Sequence, residues 1–82
     1  MKQLFYFTAP WCTHCVAMEP TIAQLQQRGI PVEKINIDYE LDRAKQAGVQ
    51  SIPTLVLAQN GQELKRISGI RTTEQIINFY NS

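Results

Sequence analysis

Apolar residues fall along the chain in short blocks separated by polar breaks, and the spacing inside each block predicts an element. Leu4-Phe5-Tyr6-Phe7 is aromatic and apolar throughout and stops at Thr8-Ala9-Pro10, which predicts a buried strand leading into a loop. From Cys12 the period becomes helical, with Cys15, Met18, Ile22 and Leu25 on one apolar stripe, until Gly29 and Pro31 end it. Pro20 lies inside that stripe, where it removes a backbone hydrogen bond and displaces the preceding turn; it predicts a kink rather than two separate helices. Ile30 to Ile37 reads as a strand through Ile30, Val32, Ile35 and Ile37, with Asp38 as its polar stop. Tyr39 to Ala47 reads as a short helix closed by Gly48.

Two further strands, Thr54 to Ala58 and Glu63 to Ser68, flank Gln59-Asn60-Gly61-Gln62, whose Asn-Gly pair is the strongest hairpin signal in the chain. After Gly69, Thr72 or Thr73 can cap a last helix bearing Ile76, Ile77, Phe79 and Tyr80. The element order is therefore strand, helix, strand, short helix, strand, strand, helix. With no repeat or linker, residues 1–82 read as a single α/β domain. A parallel pair joined by a crossover helix, then a hairpin and a covering helix, predicts a central mixed sheet flanked by helices. Such a sheet carries the first strand-to-helix turn, and both cysteines, at its carboxyl end, where open sheets usually carry their sites.

Composition narrows the partners. The formal net charge is +1, from eight Lys and Arg against seven Asp and Glu, and no basic cluster shares a face to neutralise a phosphate backbone. Nucleic acid is not an expected partner. The opening segment Met1 to Phe7 has too short an apolar run for a signal peptide, and no run suits a bilayer, so the expectation is a monomer resident in a cytoplasm. In that compartment thiols are kept reduced and a merely structural disulfide is out of place.

Both cysteines of the chain lie in one unit, Trp11-Cys12-Thr13-His14-Cys15, at the predicted start of a helix. Unpaired backbone N–H groups and the positive end of the helix dipole favour the thiolate of Cys12. In such settings a thiol pKa falls from roughly 8.5 into a range of about 3.5 to 7.5. Cys12 is then the attacking thiol, and Cys15, one turn on along the apolar stripe, the protonated resolving thiol that displaces reduced product from a mixed disulfide. This chemistry needs no cofactor. The bland readings are a structural disulfide or half of a zinc site; the first constrains little chain entropy across so small a loop, and the second lacks ligands beyond His14.

The segment Ala9-Pro10-Trp11-Cys12-Thr13-His14-Cys15, with Pro20 and the distant Ile52-Pro53-Thr54, resembles the thioredoxin family. The resemblance continues through Lys34-Ile35-Asn36-Ile37-Asp38, Asn60-Gly61 and Gly69, and so covers essentially the whole chain except for the N-terminal strand and helix of a full thioredoxin. It implies a minimal thioredoxin fold and a protein disulfide oxidoreductase, most simply a reductase supplied with electrons by a thioredoxin reductase or by glutathione. It implies that Pro53 follows a cis peptide bond and packs against the cysteine pair. It also implies that Trp11, Thr13, Ile52, Gly69 and Ile70 border a groove where an extended substrate segment adds like a strand.

Two departures separate this chain from that pattern. Tyr6 stands where the family carries a buried Asp on its first strand, which removes the usual proton acceptor for the second cysteine and leaves Lys34 without its expected partner. Thr13-His14 replaces the usual Gly-Pro, and a His before the second cysteine resembles protein disulfide isomerase and periplasmic oxidases. His14 is thereby implied to favour the Cys12 thiolate and to place the potential between about −270 and −180 mV, the thioredoxin and isomerase values. Competing readings are a glutathione-coupled glutaredoxin, a thioredoxin-fold binding module with incidental redox chemistry, and metal carriage by the two thiolates with His14.

Overall fold

The structure, a computed structural model, describes residues 1–82. Its strands are β1 at Lys2–Thr8, β2 at Val32–Asn36, β3 at Thr54–Gln59 and β4 at Gln62–Ser68, and its helices are α1 at Thr13–Ala17, α2 at Glu19–Gln27, α3 at Leu41–Gln46 and α4 at Thr73–Asn81. The strands form one sheet in the order β2-β1-β3-β4. β1 is parallel to β2, antiparallel to β3, and β3 and β4 form the hairpin. This is the mixed α/β sheet that the element order implies.

Alternation along the strands sorts the core into two layers. Leu4 and Tyr6 of β1 and Leu55 and Leu57 of β3 face one side, where Met18, Ile22 and Leu25 from the α1–α2 segment and Ile76 from α4 close over them. All four residues of the predicted stripe, Cys15, Met18, Ile22 and Leu25, are buried. Phe7, Ile35 and Val56 face the other side and meet Ala44 of α3. That second side has only one short helix, and charged side chains complete its cover. Arg43 lies 5.6 Å above the Phe5 ring while bonded to Glu33 at 2.6 Å, and Arg66 bonds Glu63 at 2.6 Å and donates to the Ala47 carbonyl at 2.5 Å. Their apolar stems cover the sheet while their guanidinium groups stay paired at the surface.

Three elements differ from the sequence expectation. The expected single kinked helix is two segments, because Pro20 has no N–H for a carbonyl of the previous turn and the chain reorganises at Met18, with φ −87° and ψ −6°. The third helix starts later than Tyr39. The Asn36 side chain accepts the Asp38 N–H at 2.9 Å, and the Asn36 carbonyl accepts the Tyr39 and Glu40 N–H groups, so a side-chain-stabilised turn uses these residues before α3 begins. The second strand is shorter than Ile30 to Ile37, since its regular pairing with β1 runs only from Val32 to Asn36.

The hairpin follows its sequence signal. Gln59 pairs with Gln62, leaving Asn60 at φ 53° and Gly61 at φ 86° as a two-residue turn with both angles positive. Thr72 is the cap of α4: its hydroxyl accepts the Gln75 N–H at 3.1 Å, and the Gln75 side chain accepts the Thr72 N–H at 2.9 Å.

The packing and the cap each set a stability cost. Leu57→Ala should lower unfolding free energy by about 2 to 5 kcal/mol, through lost burial and a residual cavity. Thr72→Ala should cost about 1 kcal/mol. Both should appear in urea titrations as lower midpoints with an unchanged slope.

Candidate active site

β1 ends at Thr8 and the chain turns through Ala9 and Pro10, where the Cys12 N–H donates to the Ala9 carbonyl at 3.2 Å. Because β3 is antiparallel to β1 with Phe7 opposite Thr54, the residues leading into β3 lie beside the cysteine turn. The Ile52-Pro53 peptide bond is cis, and the Ile52 carbonyl oxygen lies 3.9 Å from Cys12 Sγ. The hairpin then returns Ser68 opposite Thr54, and the next residue, Gly69, donates its N–H to the Pro53 carbonyl at 2.9 Å. Strand order alone thus gathers Trp11 to Cys15, Ile52-Pro53 and Gly69-Ile70 at one end of the sheet.

Cys12 is the N-cap residue of α1, extended at φ −89° and ψ 110°, and its Sγ accepts the Cys15 N–H at 3.1 Å. One of the unpaired N–H groups of the helix start therefore points at the sulfur, as the motif's position implies. The two sulfurs are joined in a disulfide, with Cα atoms 5.2 Å apart across one helical turn. Cys12 is 8% exposed and Cys15 is 1% exposed. Cys12 is the more open of the pair but well short of a freely exposed thiol, because Ala9, Ile37 and Ile52 pack around it.

The rim is apolar and open. Trp11 is 65% exposed and Ile70 49% exposed, with Ile52 half-buried between the cysteines and the β3 start. Thr13 and His14 are exposed, and the His14 imidazole makes no hydrogen bond within the chain. At Gly69 φ is +88°, a backbone conformation that favours glycine. The Trp11 indole N–H donates to both carboxylate oxygens of Asp38, at 3.2 and 3.0 Å, which ties the rim to the end of β2. Hydropathy patterning reads Asp38 only as a strand stop; the Asn36-Ile37-Asp38 turn that aims it is the signal that could have found it.

Beneath the pair, Tyr6 is fully buried and its hydroxyl donates to the Cys15 carbonyl at 3.1 Å. Burial pushes the Tyr6 phenol above its ordinary value of 10.0, the Thr8 hydroxyl partly offsets this, and the negative charge of Glu19 adds to it. Lys34 lacks a β1 carboxylate, as the sequence implies, and finds another partner: its ammonium bonds Glu19 Oε1 at 2.7 Å. The partner comes from the first turn of α2, which crosses the same face of the sheet, and not from β1. Thr54, which hydropathy patterning does not single out, is buried and uses its hydroxyl to join Ser51 and Ser68 beside Pro53.

A helix-capping dithiol facing a cis-proline at the carboxyl end of a mixed sheet defines the thioredoxin-fold class of disulfide-exchanging proteins. The family model Thioredoxin matches residues 1–82, and the chain belongs to that family. A thioredoxin of Chlamydia caviae is 35% identical over 80 residues, covering 95% of this chain and 78% of its own. A protein disulfide-isomerase of Aspergillus niger is 34% identical over 77 residues, covering 89% of this chain but only 15% of that protein. Among solved structures, a mutant thioredoxin from Halobacterium salinarum NRC-1 superposes with a TM-score of 0.90 at 30% identity, over 98% of this chain and 72% of that one. The chain is a thiol–disulfide oxidoreductase that works by dithiol exchange through its Cys-x-x-Cys pair.

Two variants isolate these contacts. Asp38→Ala should alter the emission of Trp11, the single tryptophan, while costing no more than about 1 kcal/mol, because the contact is exposed. Tyr6 has a raised pKa in the folded state, so its contribution is complete below the unfolded value and fades as pH rises through the folded one. Stability should therefore fall on the alkaline side of pH 10.0, and Tyr6→Phe should flatten that fall in urea titrations made across it.

Proposed function

We propose that the protein reduces disulfides in other proteins, with Cys12 as nucleophile and Cys15 as resolving thiol. The observation that carries this assignment is the Cys15 N–H aimed at Cys12 Sγ at 3.1 Å, while the Cys15 residue itself is the more deeply buried. That hydrogen bond and the helix start favour negative charge on Cys12, the form that attacks. Cys12 attacks a substrate disulfide sulfur, one substrate thiolate leaves, and a mixed disulfide remains. Cys15 then attacks Cys12 Sγ, releasing the second substrate thiol and leaving the protein oxidised. The helical turn holds the two cysteines close enough for the second step to be intramolecular.

The substrate segment binds in extended form across Trp11, Thr13, Ile52, Gly69 and Ile70. Ile52 lies outside any strand, and its N–H and carbonyl enter no backbone hydrogen bond, so both are free to pair with a substrate main chain as in strand addition. His14, adjacent to Cys15 and exposed, raises the potential by favouring the Cys12 thiolate. A thioredoxin reductase returns electrons to the oxidised protein, which works as a monomer in a cytoplasm.

Insulin reduction with dithiothreitol as reductant tests the central assignment. Cys12→Ser should abolish it, and Cys15→Ser should accumulate mixed disulfides that run as reducible adducts; no adduct and undiminished turnover would remove the assignment. His14→Pro should lower the reduction potential measured against a glutathione buffer. Turnover with a flavin-dependent thioredoxin reductase, set against turnover with glutathione and its reductase, identifies the donor.

A further inference from the structure

Resolution of a mixed disulfide requires Cys15 to lose a proton, and the position under Cys15 holds a group that cannot take it. Tyr6 is a buried phenol already committed as a donor to the Cys15 carbonyl, and both burial and the Glu19 charge hold its own proton on. The neighbouring Cys12 is tied up in the bond being broken. His14, the other nearby base in sequence, is exposed on the outer side of α1.

A different route opens beside the pair. A cavity of about 430 Å³ is lined by Cys15 and Val16 of α1, Glu19 of α2, Thr8 of β1, and Lys34 and Asn36 of β2. The Glu19 and Lys34 side chains are 44% and 46% exposed, so the cavity communicates with solvent, and the volume accommodates several waters. Glu19 is its only carboxylate, and Lys34 at 2.7 Å holds one oxygen while leaving the other free.

We propose that Glu19 is the proton acceptor for Cys15, acting through water in this cavity, with Lys34 as the positioning residue that holds the carboxylate turned toward it. The inference rests on the assignment of Cys15 as resolving thiol. In the step, the Cys15 thiol gives its proton to the Glu19 carboxylate by way of water, and the thiolate attacks Cys12 Sγ. The Cys12–Cys15 bond forms as the bond from Cys12 to the substrate sulfur breaks. The departing thiolate takes a proton from solvent, the substrate sulfur is reduced, the cysteine pair is oxidised, and Glu19 returns its proton to water. The titratable groups on the elements packed around Cys15 are the neutral Tyr6 of β1, Lys34 of β2 and Glu19 of α2, with Cys12 and His14 on its own segment; Asp38, beyond β2, is held by Trp11.

The second half-reaction can be read alone with 5,5′-dithiobis(2-nitrobenzoate), which releases one coloured thiolate when Cys12 attacks and a second when Cys15 resolves. The mixed disulfide is formed at acid pH, where resolution is slow, and jumped to a series of higher pH values in a stopped-flow instrument. Glu19→Gln should slow the second release about tenfold near neutrality, below the usual range of general-base effects because water intervenes, and should change its pH dependence on the acid side. Glu19→Asp should restore part of the rate, and Lys34→Met should slow the second release less than Glu19→Gln. The first release, which reports Cys12, should be unchanged in all of them. Glu74→Gln, at an exposed pair with Arg28 remote from the cysteines, should behave as the parent.

An unchanged second release and pH profile in Glu19→Gln would overturn the proposal. So would a lower melting temperature with an unaltered profile, which would assign Glu19 to the first turn of α2 alone. Failure of the functional assignment reads differently: the parent protein would then release no second thiolate after the jump, or would leave insulin unreduced.

Discussion

The antiparallel register of β1 against β3 is the constraint on which the site depends. Phe7 opposite Thr54 places the end of one strand beside the beginning of the other, and each carries half of the chemistry just beyond its last paired residue. Cys12 follows β1 after a short turn, and the cis Ile52-Pro53 bond precedes β3 directly. A slip of one residue would send Leu55 and Leu57 to the opposite face of the sheet and draw Pro53 away from the cysteines together. The leucines under α2 and α4 therefore do more than stabilise the fold, since their burial holds the register that aligns the Ile52 carbonyl with Cys12 Sγ.

The same face of the sheet explains how the site tolerates its departure from the family pattern. With Tyr6 on β1, the core beneath Cys15 contains a neutral, hydrogen-bonded phenol and no buried carboxylate, so no charge needs stabilising there. The ionic chemistry is displaced outward to Glu19 and Lys34, which meet at the margin of the same helix–sheet layer where water reaches. The opposite face shows a related substitution. Only α3 packs on it, and the stems of Arg43 and Arg66, pinned by carboxylates, extend the cover over Phe5 and Val56. Small domains have little surface to spare for extra helices, and long charged side chains serve as a partial layer.

Local signals proved dependable where one short segment contains both the cause and the effect. The Asn60-Gly61 turn needs two positive φ angles, the cap at Thr72 needs only its own first helical turn, and the dithiol is defined by two cysteines one turn apart. Pro20 was legible as a disruption, but its extent was not, since the lost hydrogen bond yields either a bend or a break according to how the flanking turns pack. The start of α3 is hidden from apolar spacing for a related reason. A side-chain-to-backbone bond from Asn36 competes with helix geometry, and apolar spacing does not register it.

By itself, the sequence determined the order and type of the elements, the hairpin, the identity of the redox pair and the family to which the chain belongs. These follow from periodicity, turn stereochemistry and the chemistry of nearby residues, all of which act over a few positions. Tertiary structure decided how open Cys12 is, that Trp11 is held by Asp38, and that Lys34 pairs with Glu19. Each of these depends on groups brought together from separate elements, and their separation in space is set by sheet order and helix crossing rather than by distance along the chain. The cysteine pair is explicit in the sequence, whereas the surroundings that govern its protons exist only once α2 lies across β1 and β2.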